Sequence, residues 1–298
     1  MRIVVVGDVL TDVLAVHASP VEAGTDTPAR IELTGGGSAA NTAAWLADLE
    51  VPVTLVSVVG TDAAGTARLD ELASAGVTCA VRRTPEAPTG TVVVLSRAGE
   101  RSMLTDRGAS ARLSTVDIDD ALAGTPDATH LHLSGYVLLD ERSRPAGRHA
   151  LRAAAGRGLT TSVDAASAGP LRRAGGDAFL AWVRGIDLLL ANSDEGLALP
   201  QPFACHAVIK RGAEGAMWLA PGQPPVEVPA EPAVVVDVTG AGDAFAAGLL
   251  SAWCSGAGPV EALQAGTRLG ARAVASPGAR PVPATDLLVG VDDPGRGR

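Results

Sequence analysis

The segment 233–254 constrains the fold of this chain most, because a strand, a glycine turn and a helix are expected to follow one another directly. A short apolar run rich in β-branched residues predicts a buried strand over 233–237. Gly240 and Gly242 allow a tight turn with exposed backbone, and residues 241–254 have helical composition. The free amides and partial positive charge at such a helix start favour binding of an anion such as phosphate.

Asp243 lies in the same turn, where a bound phosphate would repel its carboxylate. A carboxylate there can take the proton of a hydroxyl that attacks the phosphate. The free amides of the turn would then stabilise the charge of the group in transit. The alternative is structural: Asp243 caps the helix and the glycines only turn the chain.

A second glycine run, which includes Gly36 and Gly37, leads into an Ala-rich helical pattern over 39–49. It is either a flexible loop or, as three successive glycines favour, a place where a ligand packs against bare backbone. Asn41 in the first turn of that helix can both donate to and accept from the hydroxyls of a polyol.

The N-terminal run 2–7 is continuously apolar, as in a central parallel strand covered on both faces. Asp8 and Asp12 follow it, and acids just past the carboxyl end of such a strand lie where open α/β sheets bind ligands. Asp8 could simply hydrogen-bond the turn. Asp12 is better placed to reach a sugar diol.

Together these segments resemble the ribokinase family, also called the PfkB carbohydrate kinases, over essentially the whole chain. The early motif of the family matches Gly36, Gly37 and Asn41, and its late motif matches residues 237–245. The resemblance implies phosphoryl transfer from ATP with Mg²⁺ to a small sugar. It also implies the following roles: Asp243 as the base; Gly240, Ala241 and Gly242 as the anion hole; Asp12, Gly36, Gly37 and Asn41 as acceptor ligands.

Two further segments are similar to nucleotide elements of this family. Asn192 and Glu195 follow a predicted strand and match an Asn-x-x-Glu element that holds magnesium and phosphates through water. From the residues alone, they could equally form a capping box at a helix start. Lys210, Gly212 and Gly215 match a strand and Gly-x-x-Gly loop at ATP, although the lysine could also lie in solvent.

Other nucleotide-binding folds are excluded by the same residues. Lys210 is the only lysine of the chain and is followed by Arg211, so there is no Gly-Lys-Ser/Thr of a P-loop. The first strand is not followed by Gly-x-Gly-x-x-Gly, and Phe245 stands where the late motif would need a third glycine.

The resemblance also implies a monovalent-cation site beside the late motif. Asp237 and the loop 275–279, including Ala275 and Gly278, are similar to that site, which points to activation by K⁺.

Alternating strand and helix patterns predict an α/β fold: a ribokinase-like, doubly wound, mostly parallel sheet flanked by helices. We expect a single domain over 1–298. The segments 13–33 and 89–107 read as antiparallel strands outside any βαβ unit, either an ordinary edge sheet or, as the resemblance implies, a small lid over the acceptor. The expected core strands are 2–7, 53–58, 129–133, 160–164, 186–191, 206–210 and 233–237. The expected helices are 39–49, 63–75, 116–123, 144–157, 171–183, 194–199, 241–254 and 259–275.

Composition limits the remaining classes. A net charge of −9 argues against a nucleic-acid surface, and 298 residues with 47% hydrophobic content can build one large α/β core. The sequence has no membrane-length apolar run and no cleavage pattern, so we expect a cytoplasmic enzyme that does not associate with membranes. The edges of exposed lid strands commonly pair between subunits, which favours a homodimer.

The acceptor is less constrained. Sugar-phosphate kinases of this family tend to carry a lysine after the early glycine pair, where this chain has Ser38, so an unphosphorylated sugar such as ribose or fructose is favoured. Arg107 on the lid could still bind a phosphate, and Tyr136 could line the acceptor pocket or lie in the core. The alternatives are a nucleoside kinase of the adenosine type and a sugar or nucleotide sensor without catalysis.

Overall fold

The computed structural model describes residues 1–97 and 100–281, except for the side chains of residues 100 and 101. Residues 98 and 99 of the predicted strand segment 89–107 therefore fall outside the described residues, as does everything after residue 281. The helices are α1 Ser38–Asp48, α2 Ala63–Ser74, α3 Thr115–Ala123, α4 Tyr136–Leu139, α5 Arg144–Gly156, α6 Ala168–Ala174, α7 Gly176–Trp182, α8 Ser193–Leu197, α9 Ala241–Trp253 and α10 Pro259–Val274.

The strands of the described residues form two sheets. They are β1 Arg2–Val6, β2 Leu10–His17, β3 Ala29–Gly36, β4 Val53–Gly60, β5 Thr78–Thr84, β6 Thr89–Arg97, β7 Glu100–Gly108, β8 Ala128–Ser134, β9 Thr160–Asp164, β10 Leu188–Asn192, β11 His206–Lys210, β12 Ala216–Leu219 and β13 Val226–Val228.

The larger sheet has nine strands in the order β13-β12-β11-β10-β9-β8-β1-β4-β5. Strands β1, β4, β5 and β8 to β11 pair in parallel, whereas β12 and β13 are antiparallel additions at one edge. This sheet confirms the predicted mostly parallel α/β fold.

Helices cover both faces of this sheet, which explains why its central strands are continuously apolar. One face packs with α1, α9 and α10 around a core that includes Trp45, Phe245 and Leu249. The other face packs with α3 and α5 around Leu131, Leu151 and their neighbours. None of the helices in the described part of the chain is both long and apolar enough to cross a bilayer.

The smaller sheet has the order β3-β2-β6-β7. Its central pair β2 and β6 is parallel, and each outer strand pairs antiparallel with its neighbour. It is built from the two segments that the sequence set apart, with β2 beginning at Leu10, three residues earlier than expected, and β3 reaching Gly36.

Two predictions were wrong. The expected strand 233–237 is an extended segment outside either sheet, with Val234 81% and Val235 64% exposed, and its backbone is held by the Val274 carbonyl. Its apolar side chains line a cavity instead of filling a core. The expected helix 171–183 is two helices, because Gly175 has a φ of 87° and separates α6 from α7.

Candidate active site

Functional side chains collect at one edge of the large sheet, where the parallel strands end. Asp164, Asn192 and Lys210 are the last residues of the neighbouring strands β9, β10 and β11. Because parallel strands present their carboxyl ends on the same edge, these three groups meet there. They line a cavity of about 440 Å³, here called the acceptor cavity, together with Asp12, Gly37, Asn41, Tyr136, Glu195, Gly240, Gly242 and Asp243.

Asp243 lies in the first turn of α9 and is held by two donors from the first turn of α1. Ser38 Oγ donates to Asp243 Oδ1 at 2.8 Å, and Asn41 Nδ2 donates to Asp243 Oδ2 at 2.9 Å. Each carboxylate oxygen retains lone pairs for a further partner. The early and late glycine segments, about 200 residues apart in sequence, therefore build one constellation.

The helix start at α9 depends on Gly240. Its φ is 72°, in the left-handed region, and a Cβ there would collide with the backbone of Ala279. Ala241 and Gly242 follow in the first turn, where amides have no partner within the helix. Gly242 lies against the Lys210 ammonium, because a Cβ at that position would be 3.4 Å from Nζ.

Opposing effects act on the pKa of Asp243. Burial raises the pKa of the carboxyl to about 6, and Asp164 acts in the same direction, whereas the hydrogen bonds from Asn41 and Ser38 and the charge of Lys210 lower it. At neutral pH the carboxylate is mostly ionised. A base with a pKa just below the working pH is well matched to proton removal.

Lys210 forms an ion pair with Asp164, with Nζ donating to Oδ2 at 2.6 Å. Both side chains are largely buried, and the nearby Asp164 and Glu195 carboxylates, with Asp243, raise the pKa of Lys210 against the effect of burial. Asp164 was missed in the sequence because nothing around it marks it apart from other strand ends. Only the order of strands in the sheet places it beside Lys210.

Asn192 and Glu195 form the predicted capping box at the start of α8. Glu195 N donates to Asn192 Oδ1 at 2.9 Å, and the Glu195 carboxylate accepts from the Asn192 backbone and side-chain amides, each at 2.7 Å. Burial, followed by the charge of Asp164, raises the pKa of Glu195 to about 7. The capping role and a position on the acceptor cavity thus coexist in the same two residues.

The acceptor side of the cavity is formed where β2 meets β3 and α1. Asp12 faces Gly36, where any side chain would collide with its carboxylate, and Gly37 has a φ of 97° with the Asp8 carbonyl in the space of a Cβ. Burial raises the pKa of Asp12, while Arg280 and Arg68 oppose that shift. Backbone glycines and a recessed carboxylate leave room for a polyol.

Arg280 supports the acceptor side of the cavity, and it was not identified from the sequence. Its Nε donates to Asn41 Oδ1 at 3.2 Å and its Nη2 to the Gly36 carbonyl at 3.0 Å, while Nη1 pairs with Glu71 at 3.3 Å. Burial lowers the pKa of Arg280 to about 10. Because Asn41 Oδ1 accepts from Arg280, its Nδ2 is directed at Asp243. Arg280 and Asn41 are 239 residues apart in sequence, so no local sequence pattern predicts this contact.

A second cavity of about 660 Å³, here called the nucleotide cavity, adjoins the acceptor cavity, and Lys210, Val238 and Gly242 line both. Gly212 and Gly215, for which the sequence predicts ATP binding, line it along with apolar side chains that include Val235 and Phe245. Apolar walls and glycine backbone suit a flat heterocycle with phosphates directed toward Lys210.

Arg107 and Tyr136 occupy different surroundings. Tyr136 lines the acceptor cavity, and burial raises the pKa of its hydroxyl to about 12. Arg107 does not line it: its guanidinium binds Asp8 through two bonds, Nε to Oδ2 at 2.8 Å and Nη2 to Oδ1 at 2.5 Å, and also contacts Ser143 and Asp140. These contacts fasten the end of β7 to the end of β1, so a role in acceptor binding stays a prediction.

The loop after α10 meets Asp237. Asp237 Oδ2 accepts from the Gly278 amide at 3.0 Å, and its Oδ1 accepts from the amide and hydroxyl of Thr239. Ala275 directly follows Val274, whose carbonyl accepts from the Asp237 amide. The residues predicted for a monovalent cation are therefore adjacent. Whether they bind one stays a prediction.

The fold and the site together define a class: an α/β protein with a mostly parallel sheet, whose cavity at the carboxyl ends of the strands carries a carboxylate at a helix N-terminus. The sequence profile of the pfkB family carbohydrate kinases matches residues 1–285, and the chain belongs to that family. It is therefore a sugar kinase of the PfkB type.

Individual relatives agree. The chain is 32% identical to the ATP-dependent ribose-1-phosphate kinase of Halopiger xanaduensis, over 97% of each sequence. Among solved structures it is similar to adenosine kinase from Sinorhizobium meliloti, with a TM-score of 0.84, 25% identity and 94% and 96% coverage of the two chains. It is also similar to ribokinase II from Escherichia coli in complex with ATP and Mg²⁺, with a TM-score of 0.81, 25% identity and 93% and 94% coverage.

Proposed function

We propose that this protein transfers the γ-phosphoryl group of ATP to a hydroxyl of a ribose-type sugar, with Asp243 as the base. The observation that carries this proposal is the position of the Asp243 carboxylate. It lies on the acceptor cavity, in the first turn of α9, and is oriented by Ser38 and Asn41.

The proposed chemistry divides among the walls of the acceptor cavity. Asp12 and Asn41 bind hydroxyls of the sugar, and Asp243 accepts the proton of the attacking hydroxyl as the new O–P bond forms. The amides of residues 240–243 and the Lys210 ammonium stabilise the negative charge on the phosphoryl group in transit. Closure of the smaller sheet over this cavity would exclude water and so prevent hydrolysis of ATP.

ATP fits the nucleotide cavity, with its base against apolar residues such as Val235 and Phe245 and its phosphates directed toward Gly242 and Lys210. Mg²⁺ supplies charge neutralisation of the phosphates, as the Escherichia coli neighbour binds it with ATP. Asn192 and Glu195 would hold it through water, which suits carboxylate oxygens already engaged as acceptors.

For the monovalent-cation site, Asp237, Ala275 and Gly278 are the proposed ligand-bearing residues. Asp237 is tied to the loop that carries the other two, so a cation there would stiffen the start of α9. A titration of the initial rate with KCl against NaCl tests this role, and an unchanged rate would remove it.

The acceptor is proposed to be ribose or a ribosyl compound. The Ser38 hydroxyl, at the position where a lysine would favour a phosphorylated acceptor, is engaged by Asp243, and this supports the expectation of an unphosphorylated sugar. Against it, the named acceptor of the Halopiger xanaduensis relative is ribose 1-phosphate. The named acceptor of the Sinorhizobium meliloti neighbour is adenosine. Both compounds are riboses that carry a substituent at C1.

A cytoplasmic homodimer is the proposed working form. The outer strands β3 and β7 leave apolar side chains exposed, among them Ile31, Leu33, Met103 and Leu104, and open strand edges of this kind pair readily between subunits. Light scattering after size exclusion gives the mass directly, and a monomer at micromolar concentration would exclude the dimer.

The function is tested by ATP consumption with a panel of ribose, fructose, ribose 1-phosphate, adenosine and uridine. We expect acceptor-dependent formation of ADP with at least one ribosyl compound. Binding of ATP and of an acceptor without any turnover would instead identify a sensor.

A further inference from the structure

A third cavity, here called the side cavity, adjoins the acceptor cavity. It has a volume of about 860 Å³, and Met103, Thr105 and Tyr136 line both cavities. A free pentose held by Asp12 and Asp243 would leave this space unused. An acceptor with a substituent on its ring could extend past β7 and Tyr136 into it.

The side cavity is lined by charged groups of both signs. Arg107 is engaged by Asp8 and Asp140, and Arg142 donates to both oxygens of Asp140, so Asp140 balances these two cations. Asp106 is a lining acid whose Oδ1 accepts from the Gly108 amide. The other acid of the lining is Glu141.

Arg173 is the lining cation that remains available. It is exposed near the end of α6 and has no ion-pair or hydrogen-bond partner among the described residues. Its planar guanidinium has five N–H donors, and it suits an oxygen-rich group better than an apolar one.

We propose that the acceptor is a ribose with an oxygen-rich substituent at C1, and that this substituent enters the side cavity and is bound by Arg173. This inference rests on the proposed function and deepens it. A phosphate and a carbonyl-bearing nucleobase share the required chemistry, because each presents acceptor oxygens to a guanidinium. The side cavity meets the acceptor cavity at Tyr136 and β7, so a substituent directed to that side of the sugar would reach it.

The test compares kcat/KM for ribose, ribose 1-phosphate and uridine in the wild type, Arg173→Ala and Arg173→Gln. Arg172→Ala is the matched control, since Arg172 is exposed on the same helix and does not line the side cavity. We expect kcat/KM to be higher for a substituted ribose than for ribose itself. The ratio of these two kcat/KM values should fall about tenfold to 100-fold in Arg173→Ala. Arg172→Ala should leave that ratio unchanged.

The two substituents are separated by the glutamine variant and by salt. If the substituent is a phosphate, the kcat/KM ratio falls as far in Arg173→Gln as in Arg173→Ala, and added salt weakens binding, because the positive charge is required. If the substituent is a nucleobase, Arg173→Gln keeps much of the wild-type kcat/KM ratio, since the glutamine amide can still donate a hydrogen bond to a carbonyl.

Two outcomes would overturn the inference and are distinguishable. If ribose is used as well as both substituted compounds and Arg173→Ala changes no ratio, the side cavity has no role, although the proposed kinase function stands. If no compound supports ADP formation, the proposed function fails first. Calorimetric titration of ribose 1-phosphate and uridine into the wild type and Arg173→Ala then decides whether the side cavity binds the substituent.

Discussion

At the scale of single residues, the candidate site depends on how burial and hydrogen bonds balance at one recessed carboxylate, Asp243. Asp243 loses hydration by burial, which favours its neutral form, and it regains stability as an anion from Ser38, Asn41 and Lys210. The balance leaves its pKa at about 6 instead of near 4. A more strongly stabilised carboxylate would be a poorer base.

The pH dependence of catalysis follows from that balance. Only the deprotonated Asp243 can accept a proton, so kcat/KM should be constant above neutral pH and fall as pH decreases through about 6. The groups that face this carboxylate are Asp164, Lys210 and Tyr136, on three neighbouring elements. A profile measured between pH 5 and 8 with saturating Mg²⁺ checks this, and a flat profile would contradict it.

Arg280 is expected to act through Asn41. Without its guanidinium the Asn41 amide can turn its oxygen toward Asp243, which would raise the pKa of the base and misplace it. We expect Arg280→Ala to lower kcat by about 10- to 100-fold and to shift the acid limb of the pH profile upward. Arg280→Lys should recover part of the rate.

The matched control is Arg272→Ala, because Arg272 on α10 pairs with Asp48 and does not contact Asn41 or the Gly36 carbonyl. In a double-mutant cycle, Arg280→Ala should reduce kcat little further once Asn41→Ala is present, since both changes remove the same oriented donor to Asp243. Fully additive losses with an unmoved pH profile would show that Arg280 only stabilises the fold.

At the scale of elements, the start of α9 is the feature that places Asp243. Gly240 takes a left-handed conformation, and Ala279 occupies the space of its missing Cβ. The turn is thereby packed against the loop that follows α10. A helix that began one residue later would move Asp243 away from the donors on α1.

Gly240→Ala should therefore destabilise the protein for two reasons. Alanine disfavours the left-handed conformation, and its Cβ would also collide with Ala279. Gly222 is the matched control, with a φ of 70° against 72° for Gly240 and no atom near its virtual Cβ. We expect Gly222→Ala to reduce the free energy of unfolding by about 1–2 kcal/mol and Gly240→Ala by about 1–3 kcal/mol more. Chemical denaturation measures both, and equal losses would mean that the contact with Ala279 is not tight.

The elements also show why one prediction from the sequence was wrong. The apolar run at 233–237 has the composition of a buried strand, but Val235 lines the nucleotide cavity and the backbone is held by Val274. Burial against a sheet and burial against a ligand require the same residue types. A local pattern cannot distinguish these two environments.

At the scale of the whole molecule, the sequence predicted the six strands β1, β4 and β8 to β11 of the larger sheet and the two segments that form the smaller sheet. It also predicted the residues that lie in glycine motifs. These features depend on local periodicity and on turns, which short segments encode. Asp164 and Arg280 escaped prediction because their partners, Lys210 and Asn41, are distant in sequence. Such contacts depend on strand order and on the path of a loop.

The two sheets are joined at a buried ionic contact that no motif indicated. Arg107, at the end of β7, binds Asp8 beyond β1 and reaches Asp140, so this end of the smaller sheet is tied to the larger sheet. Buried pairs of this kind are costly to break singly, by about 3–5 kcal/mol.

The central claim is that Asp243 removes the proton of the attacking hydroxyl, and the rate of phosphoryl transfer by Asp243→Asn tests it most directly. We expect kcat to fall by about 100-fold to 10,000-fold while calorimetry gives nearly unchanged Kd values for ATP and acceptor. The exposed first-turn acid Asp194, changed to Asn, serves as the control and should keep its rate. A near-normal kcat in Asp243→Asn would contradict the claim.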